Sequence, residues 1–353
     1  MKLPWVNILL LILLVLQAIT GYFGFTEGRE RMAWILWLHG IGAYALLVLI
    51  WFKLVVILDT WRRRRRWTTQ RYGFLLTLVL LLLVLATGLL WTFDGPIYLG
   101  GFSLVSIHIY IAIPLMALML WHSWQMRFIR NVDGAIGRRL FLAGALSAIG
   151  GLLVWATFRR FKQITGFKGA LRRFTGSYEV GSFTREFPVV SWIADRPPPI
   201  DPSGWQLEIA GHVARPIALA YDAILNLPRT TLTAVLDCTG GWFSQQRWQG
   251  PTVGELLAFC GALPKARSVT FESISGYKRR FDIQVAQGFL LALGTVDGEP
   301  GVEYGAFRPL EHGHGFPLRL VAPGYRGMEW VKWVTMLTVN DSHAFWQSPL
   351  PLQ

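Results

Sequence analysis

A cysteine that follows a β-rich stretch is the residue of this chain best placed to hold a metal. Cys238 comes directly after Asp237 and precedes Thr239-Gly-Gly241. Glycines allow a bulky ligand to approach the backbone, and a thiolate suits a soft, high-valent metal ion. The pattern therefore predicts a metal site at Cys238.

A basic segment lies further along the chain, from His314-Gly-Phe-Pro-Leu-Arg319 to Lys332-Trp333. Arg319 offers a planar fork for a phosphate, Lys332 a point charge and His314 a ring donor. Apolar residues separate these cations, so part of the segment is expected to be buried. Because buried basic groups require an anionic partner, we predict that the three residues bind an anionic organic cofactor.

Three histidines fall within long apolar runs, where ionisable groups are rare and often functional. His108 and His122 are 14 residues apart (122 − 108) and so lie on nearly one helix face, about 21 Å apart. This spacing resembles that of membrane di-haem cytochromes b of the four-helix kind. His39 lies at a similar depth to His108, and the two are predicted to ligate an outer haem b.

A second haem at His122 is less well supported. Its partner is expected near position 53 (39 + 14), and that residue is Lys53. Either the inner haem is absent, or His122 has an unusual ligand, or it extends to the membrane interface. The structural alternative for His39, His108 and His122 is that they form interhelical hydrogen bonds.

Five uncharged runs, each 19 residues or longer, must position these histidines: residues 3–26, 32–52, 72–93, 95–126 and 140–158. About 20 helical residues cross a bilayer. The first half is therefore predicted to be an all-α transmembrane bundle of five helices in contact with membrane lipids. The flanking tryptophans are expected to lie at the membrane interface.

Basic residues between the runs predict the orientation. Residues 62–66 and 127–139 are arginine-rich and are expected in the cytoplasm. Five crossings then place the C-terminal domain on the outer, periplasmic side of a bacterial-type inner (plasma) membrane. Basic residues within 159–173 conflict with this, so four spans with an inside domain are the alternative. Arg138-Arg139 before an apolar stretch resembles a twin-arginine export signal, or simply caps a span.

From residue 175 onward, alternating polar and apolar residues with frequent turn signals predict a mixed α+β domain. Predicted domains are 1–130 (four-helix), 131–174 (fifth helix and basic linker) and 175–353. Helices are expected at 221–227 and 252–260. Strands are expected at 205–210, 231–237, 268–273, 280–285, 318–322 and 333–339. Cys260 is expected in the core, with a Cys238–Cys260 disulfide as the alternative.

Several segments of this second half resemble the molybdopterin domain of the sulfite oxidase family. They are Phe187-Pro-Val-Val, Asp237-Cys238, Trp248-Gln-Gly250, Ser275-Gly-Tyr277, the His314–Arg319 segment and Gly327-Met-Glu-Trp-Val-Lys-Trp333. The resemblance implies that Cys238 ligates molybdenum beside a pyranopterin. It also implies cofactor binding by His314, Arg319, Trp330, Val331 and Lys332, and more weakly by Ser273 and Ser275.

One departure concerns the substrate. Members that oxidise sulfite carry an arginine five residues after the cysteine, where this chain has Phe243. Replacement positive charge is expected from Arg247, Arg279, Arg280 or Arg308, and the sequence does not select among them.

These features together predict a membrane-anchored molybdenum oxidoreductase. It would transfer an oxygen atom in a two-electron step and exchange electrons with a quinone pool through b-type haem. Similarity to periplasmic methionine-sulfoxide reductases slightly favours reduction of an S-oxide or N-oxide. Its expected partners are a small-molecule substrate, quinone or quinol, and lipids, with no nucleic acid. The alternatives are a haem-bearing anchor with a non-catalytic binding module, or a non-redox membrane protein.

Overall fold

The computed structural model describes residues 4–62, 69–126, 134–191, 195–301 and 305–348. The chain divides into two compact units, Met1–Tyr178 and Glu179–Gln353. The first unit is helical and the second combines strands with short helices.

The helical unit contains five long helices, separated by short turns. They are α1 (Pro4–Thr26), α2 (Ala33–Arg62), α3 (Thr69–Phe93), α4 (Leu104–Met126) and α5 (Gly134–Thr165). All five are long and apolar enough to cross a membrane, with mean hydropathy between 1.9 and 2.7 in the apolar stretch of each. Large apolar side chains also cover the outside of the unit, as at Trp51, Phe141 and Leu146, whose exposed fractions are 72%, 74% and 69%. Such a surface is rare on water-soluble proteins.

The prediction of a helix over the run 95–126 is wrong for the first residues of that run. Residues Tyr98–Leu99 (β1) and Phe102–Ser103 (β2) form a two-stranded hairpin, and α4 starts only at Leu104. Gly100 and Gly101 between the strands have φ of 57° and 85°, a conformation that the glycines permit and a helix does not. Two 3₁₀ turns, Glu30–Met32 and Lys168–Ala170, complete the unit.

The second unit combines largely antiparallel strands with short helices. Its elements are β3 (Tyr178–Glu179), β4 (Gln206–Gly211), β5 (Ile217–Ala220), α6 (Tyr221–Leu225), β6 (Thr230–Asp237), β7 (Trp242–Gly250), α7 (Val253–Cys260), β8 (Ser268–Ser273), β9 (Lys278–Asp282), α8 (Ile283–Ala286), β10 (Leu290–Ala292), β11 (Gly294–Val296), β12 (Phe307–Pro309), β13 (Arg319–Val321) and β14 (Val334–Asn340).

Two sheets form its framework. One has the order β5-β4-β14-β8-β9, and its β4–β14 pair is parallel. In the other, β7 lies between β6 and β11, and β12 pairs with β11. Apolar side chains such as Trp248, Phe271 and Leu337 are fully buried in one core. The β6–β7 hairpin is in register from Thr230↔Gly250 to Asp237↔Phe243, which places Cys238 at its turn.

Most predicted elements of this unit are present, with one error of type. The predicted strand 280–285 ends at Asp282, and Ile283–Ala286 is helical. Helix α7 begins with a capping box between Thr252 and Glu255, and the left-handed Gly261 (φ 67°) ends it. Both cysteines are free thiols, so the disulfide alternative is wrong.

Candidate active site

Cys238 is the first residue of the tight turn between β6 and β7. Its amide donates to the Trp242 carbonyl (2.8 Å), and the Gly241 amide donates to the Cys238 carbonyl (3.1 Å). The Gly240 amide donates to Cys238 Sγ at 3.3 Å, which favours the thiolate. Burial raises the pKa of the thiol, and the Gly240 amide and the Arg326 charge partly oppose that rise. A bound metal would displace the proton, because the thiolate is the ligand.

A buried ion pair, which no sequence pattern predicted, holds this turn in place. Arg326 Nη1 lies 2.6 Å from Asp237 Oδ1, and Nη2 donates to the Cys238 carbonyl at 3.2 Å. Both charged side chains are almost inaccessible, with exposed fractions of 4% and 3%. Gly327 packs against the backbone of Cys238, since an added Cβ at Gly327 would come 3.3 Å from Cys238 Cα. Arg326 therefore fixes the backbone that carries the thiol.

Arg319 lies on β13 between two indole rings. Its guanidinium carbon is 5.3 Å from the Trp248 ring centre and 5.7 Å from that of Trp330. Burial lowers the pKa of Arg319 to about 9, and the Cys238 thiolate opposes this shift. Nη1 donates to the His314 carbonyl (3.0 Å), whereas the buried Nε has no hydrogen-bond partner within the described residues.

Lys332 is the second buried cation. Its Nζ donates to the Val190 and Gly313 carbonyls and to Ser191 Oγ, at 3.1, 3.0 and 2.7 Å. These acceptors are all neutral. Burial and the neighbouring Arg319 charge lower the pKa of Lys332 to about 7, and Asp195 and Cys238 partly restore it.

His314 and Gly315 connect the two cations. His314 stacks on Phe187 with ring centres 4.2 Å apart, and its Nε2 lies 3.1 Å from the Phe187 carbonyl. Gly315 has φ of 107°, and an added Cβ would come 3.1 Å from Lys332 Cβ and 3.2 Å from Arg319 Cβ. The glycine thus permits the close approach of the two cation-bearing segments.

The remaining predicted cofactor residues lie around this group. Ser275 Oγ donates to Asp195 and lies 3.0 Å from Ser273 Oγ. Asp195 is in turn within electrostatic range of Lys332. The Trp330 amide donates to Gly327 (3.2 Å), whereas the amides of Val331 and Lys332 donate no hydrogen bond to any residue that the structure describes.

The four arginines considered as replacement charges all have protein partners. Arg247 donates to the Asp297 carbonyl (3.1 Å) and Arg308 pairs with the Asp297 carboxylate (3.1 Å). Arg280 binds Ser268 and Ser342. Arg279 is buried between Tyr277 and Glu329.

The thiol and the cations form one anion-binding arrangement. Arg319 and Lys332 are each within electrostatic range of Cys238, and among the described residues Asp195 is the carboxylate that acts on Lys332. Within the described ranges, no group of three or more His, Cys, Asp or Glu residues could hold a metal ion. Cys238 alone provides too few ligands for a stable metal site. An anionic cofactor that brings its own metal ligands therefore fits these residues.

A separate pair of predicted ligands lies close together in the helical unit. The rings of His39 on α2 and His108 on α4 have centres 6.2 Å apart. A metal bonded to one nitrogen of each ring at about 2 Å would place the ring centres roughly 6 Å apart. His108 Nδ1 lies 2.9 Å from the Val84 carbonyl, which can only accept, so Nδ1 carries the proton and Nε2 remains for a metal.

The surroundings of the two histidines are alike. Thr20 Oγ1 lies 3.0 Å from His39 Nδ1, again leaving Nε2. Gly21 on α1 and Gly88 on α3 face the two rings, and an added Cβ at either would come 3.2 Å from the ring Cε1. His122 lies further along α4, and the Lys53 side chain is outside the described residues. The structure thus brings together the predicted outer pair.

Comparison with known proteins assigns the second unit. Residues 194–346 match the protein family described as "Oxidoreductase molybdopterin binding domain". The second unit contains a molybdopterin-binding oxidoreductase domain. The matched range includes Cys238, Arg319, Lys332 and the Asp237–Arg326 pair.

The molybdopterin domain is related to sulfite oxidases and nitrate reductases. Mitochondrial sulfite oxidase of Macaca fascicularis is 28% identical over 42% of this chain and 32% of its own length. Nitrate reductase [NADH] of Ulva prolifera is 28% identical over 38% of this chain and 19% of its own length. The chain thus spans about a third and about a fifth of these relatives. A solved structure, sulfane dehydrogenase SoxCD from Paracoccus pantotrophus, is 28% identical over 41% of this chain and 40% of that chain, with a TM-score of 0.36.

Breaking the Asp237–Arg326 pair should destabilise the molybdopterin domain strongly. Asp237→Asn leaves a buried guanidinium without a charged partner, which costs about 3–5 kcal/mol. Asp297→Asn is the matched control, because the Arg308–Asp297 pair is 57% and 40% exposed and such pairs contribute about 0–1 kcal/mol. Unfolding free energies of both variants measure the difference. Equal losses would contradict the structural role of the buried pair.

The domain should also gain stability with pH when the cofactor is absent. With the pKa of Lys332 lowered from 10.5 to about 7, the unfolded chain binds one proton more than the folded chain between these values. The unfolding free energy should therefore rise between about pH 7 and 9. Melting temperatures of the cofactor-free chain should show this rise, and Lys332→Met should flatten it. The exposed Lys265→Met serves as control; an unchanged slope in Lys332→Met would refute the assignment.

Substitution of Gly315 should reduce cofactor retention. Gly315→Ala and Gly276→Ala carry a similar backbone cost of about 1 kcal/mol, since both glycines have positive φ (107° and 85°). Only the added Cβ at Gly315 meets neighbouring atoms, whereas that at Gly276 meets nothing within 4 Å. Molybdenum content per protein should fall in Gly315→Ala alone. A matching fall in Gly276→Ala would attribute the effect to the backbone instead.

Proposed function

We propose that this chain is a membrane-anchored molybdenum oxidoreductase that exchanges electrons with a quinone pool through b-type haem. The observation that carries the proposal is the buried thiol of Cys238 beside the cations Arg319 and Lys332, within a molybdopterin-binding domain. The paired histidines of the helical unit support the haem.

Each residue of the molybdopterin domain has a distinct role in this proposal. When bound, the molybdenum cofactor supplies two-electron oxygen-atom transfer. Cys238 would hold the metal, and Arg319, Lys332 and His314 would hold the anionic part of the cofactor. The buried Arg319 Nε and the amides of Val331 and Lys332 offer unused donors for it. Ser273 and Ser275 would act indirectly, because the Ser275 hydroxyl binds Asp195 and the Ser273 hydroxyl.

The helical unit would provide the second redox centre. His39 on α2 and His108 on α4 would hold one haem through the ring nitrogens that their Nδ1 contacts leave free. A haem accepts one electron at a time and would divide the two-electron reaction into single transfers. A second haem at His122 remains a further proposal, tested below.

Membrane insertion would follow from the apolar helices. Five helices of sufficient length carry large apolar side chains on their outer surface, where lipid tails would contact them. We propose a multi-pass protein of a bacterial-type plasma membrane with the molybdopterin domain on the outer side. Quinone and quinol, which dissolve in the bilayer, would then reach the helical unit directly.

The substrate is proposed to be a small oxygen-atom donor or acceptor other than sulfite. Phe243 stands where family members that oxidise sulfite carry an arginine, and each of the four candidate arginines has a partner within the protein. An S-oxide or N-oxide needs no such cluster of positive charge, because it is neutral. Quinol would be the reductant in that case.

Two measurements on the purified full chain test this function. Metal analysis should find molybdenum, and the optical spectrum should show reducible b-type haem bands. Absence of molybdenum would refute the enzyme assignment, whereas absence of haem bands would refute the coupled electron path alone. A cytoplasmic response of a reporter fused at Gln353 would refute the outside placement.

A further inference from the structure

The C-terminal end of α3 carries a polar residue in line with the haem-site histidine. Val84, Gly88 and Thr92 are spaced four residues apart, so they lie along one face of α3. The first two contact His108: the Val84 carbonyl lies 2.9 Å from Nδ1, and Gly88 faces the ring Cε1. Thr92 therefore stands about 6 Å, one helical turn, beyond the His108 ring.

Two cations from the end of the helical unit converge on Thr92. Arg172 Nη1 donates to Thr92 Oγ1 at 3.0 Å, and Lys162 Nζ donates to the Thr92 carbonyl at 3.3 Å. Gly169 fixes the segment between them, because an added Cβ there would come 1.8 Å from the Thr92 carbonyl oxygen. Backbone packing thus holds both cations at Thr92, one helical turn beyond the level of His108.

Neither cation has an acidic partner among the residues that the structure describes. Lys162 is 6% exposed and Arg172 is half-buried, and no ion pair to Asp or Glu joins either of them. Lys162 caps the C-terminus of α3, and this contact accounts for the position of Lys162. It does not account for the position of Arg172. Arg172 has five donors, of which one makes a hydrogen bond in the described chain, and burial lowers its pKa.

An uncompensated cation in this position requires an anion beside the histidine pair. We propose that Arg172 binds a carboxylate of the haem held by His39 and His108, with Lys162 as the second cation. The proposal rests on the haem of the proposed function. Haem b carries its two carboxylates on one edge, so one guanidinium with several unused donors matches that edge. Arg172 would be a haem-binding residue that also tunes the redox equilibrium.

Haem reconstitution of the full chain in detergent tests the carboxylate directly. Cofactor-free protein is titrated with haem and with haem dimethyl ester, which lacks the charged carboxylates. The wild-type chain should bind haem dimethyl ester at least about tenfold more weakly than haem, because a charge-assisted contact is lost. Arg172→Gln should bind haem weakly and respond little to esterification, and Arg172→Lys should regain part of the difference. The exposed neighbour Arg160→Gln should behave as wild type.

A redox titration gives an independent readout. Loss of a positive charge near the iron should shift the haem reduction equilibrium about tenfold toward the oxidised form, which is about 59 mV for one electron. An equal response to esterification in wild type and Arg172→Gln, with unshifted equilibrium, would overturn the inference. So would loss of bound phospholipid phosphorus in Arg172→Gln with unchanged haem binding, which would assign the cations to a lipid headgroup. Failure of wild type to bind haem at all would instead refute the proposed haem site.

Discussion

Cys238→Ala is expected to abolish oxygen-atom transfer while leaving the protein folded. Loss of the residues that merely support a metal ligand lowers affinity or activity by about 10–100-fold, so loss of the ligand itself should exceed a hundredfold. The thiol lies in a turn that backbone hydrogen bonds and the Asp237–Arg326 pair maintain without it. Activity and molybdenum content, measured together, give the result.

Cys260→Ala is the matched control for this experiment. Cys260 is also a buried free thiol, but it lies on α7 and packs in the core. Its loss should leave molybdenum content and turnover close to wild type. Equal molybdenum and activity in Cys238→Ala and wild type would remove Cys238 as the metal ligand.

His39→Ala and His108→Ala should each eliminate the outer haem. The two rings lie on different helices with their centres 6.2 Å apart, so one ring alone offers a single ligand to the iron. The absorption spectrum per protein should lose the reducible b-type bands in either variant. The helical unit of each variant should retain its helices, because the buried leucine cluster that includes Leu46 and Leu49 does not contain the histidines.

His122→Ala distinguishes one haem from two. If His122 binds a second haem, haem content should fall by about half; if it does not, content should be unchanged. Full retention of haem in both His39→Ala and His108→Ala would contradict the assignment of the outer pair.

Local sequence signals were sufficient for residues whose chemistry depends on a short segment. Cys238 follows a strand and precedes glycines, and the structure places it at the β6–β7 turn with an amide on its sulfur. Matching depth within the apolar runs was likewise enough to pair His39 with His108. In each case, the position of the residue along its own strand or helix was the informative signal.

Features that join distant segments could not be predicted in this way. Arg319 lies between Trp248 and Trp330, and only the folded sheets bring the first indole to it. Asp237 and Arg326 are 89 residues apart, and nothing local distinguishes Arg326 from the other arginines of the chain. The one signal that could have found it is its position directly before the Gly327–Trp333 segment, which resembles the sulfite oxidase family.

The coupling between the two redox centres is the central claim, and the redox state of the haem under added substrate tests it most directly. Haem in the purified full chain is followed by absorption after addition of an oxygen-atom donor to reduced protein or an acceptor to oxidised protein. We expect that one class of substrate changes the redox state of the haem in the wild-type protein and leaves it unchanged in Cys238→Ala. The same change in both proteins would show that the haem reacts without the molybdenum site and would contradict the account.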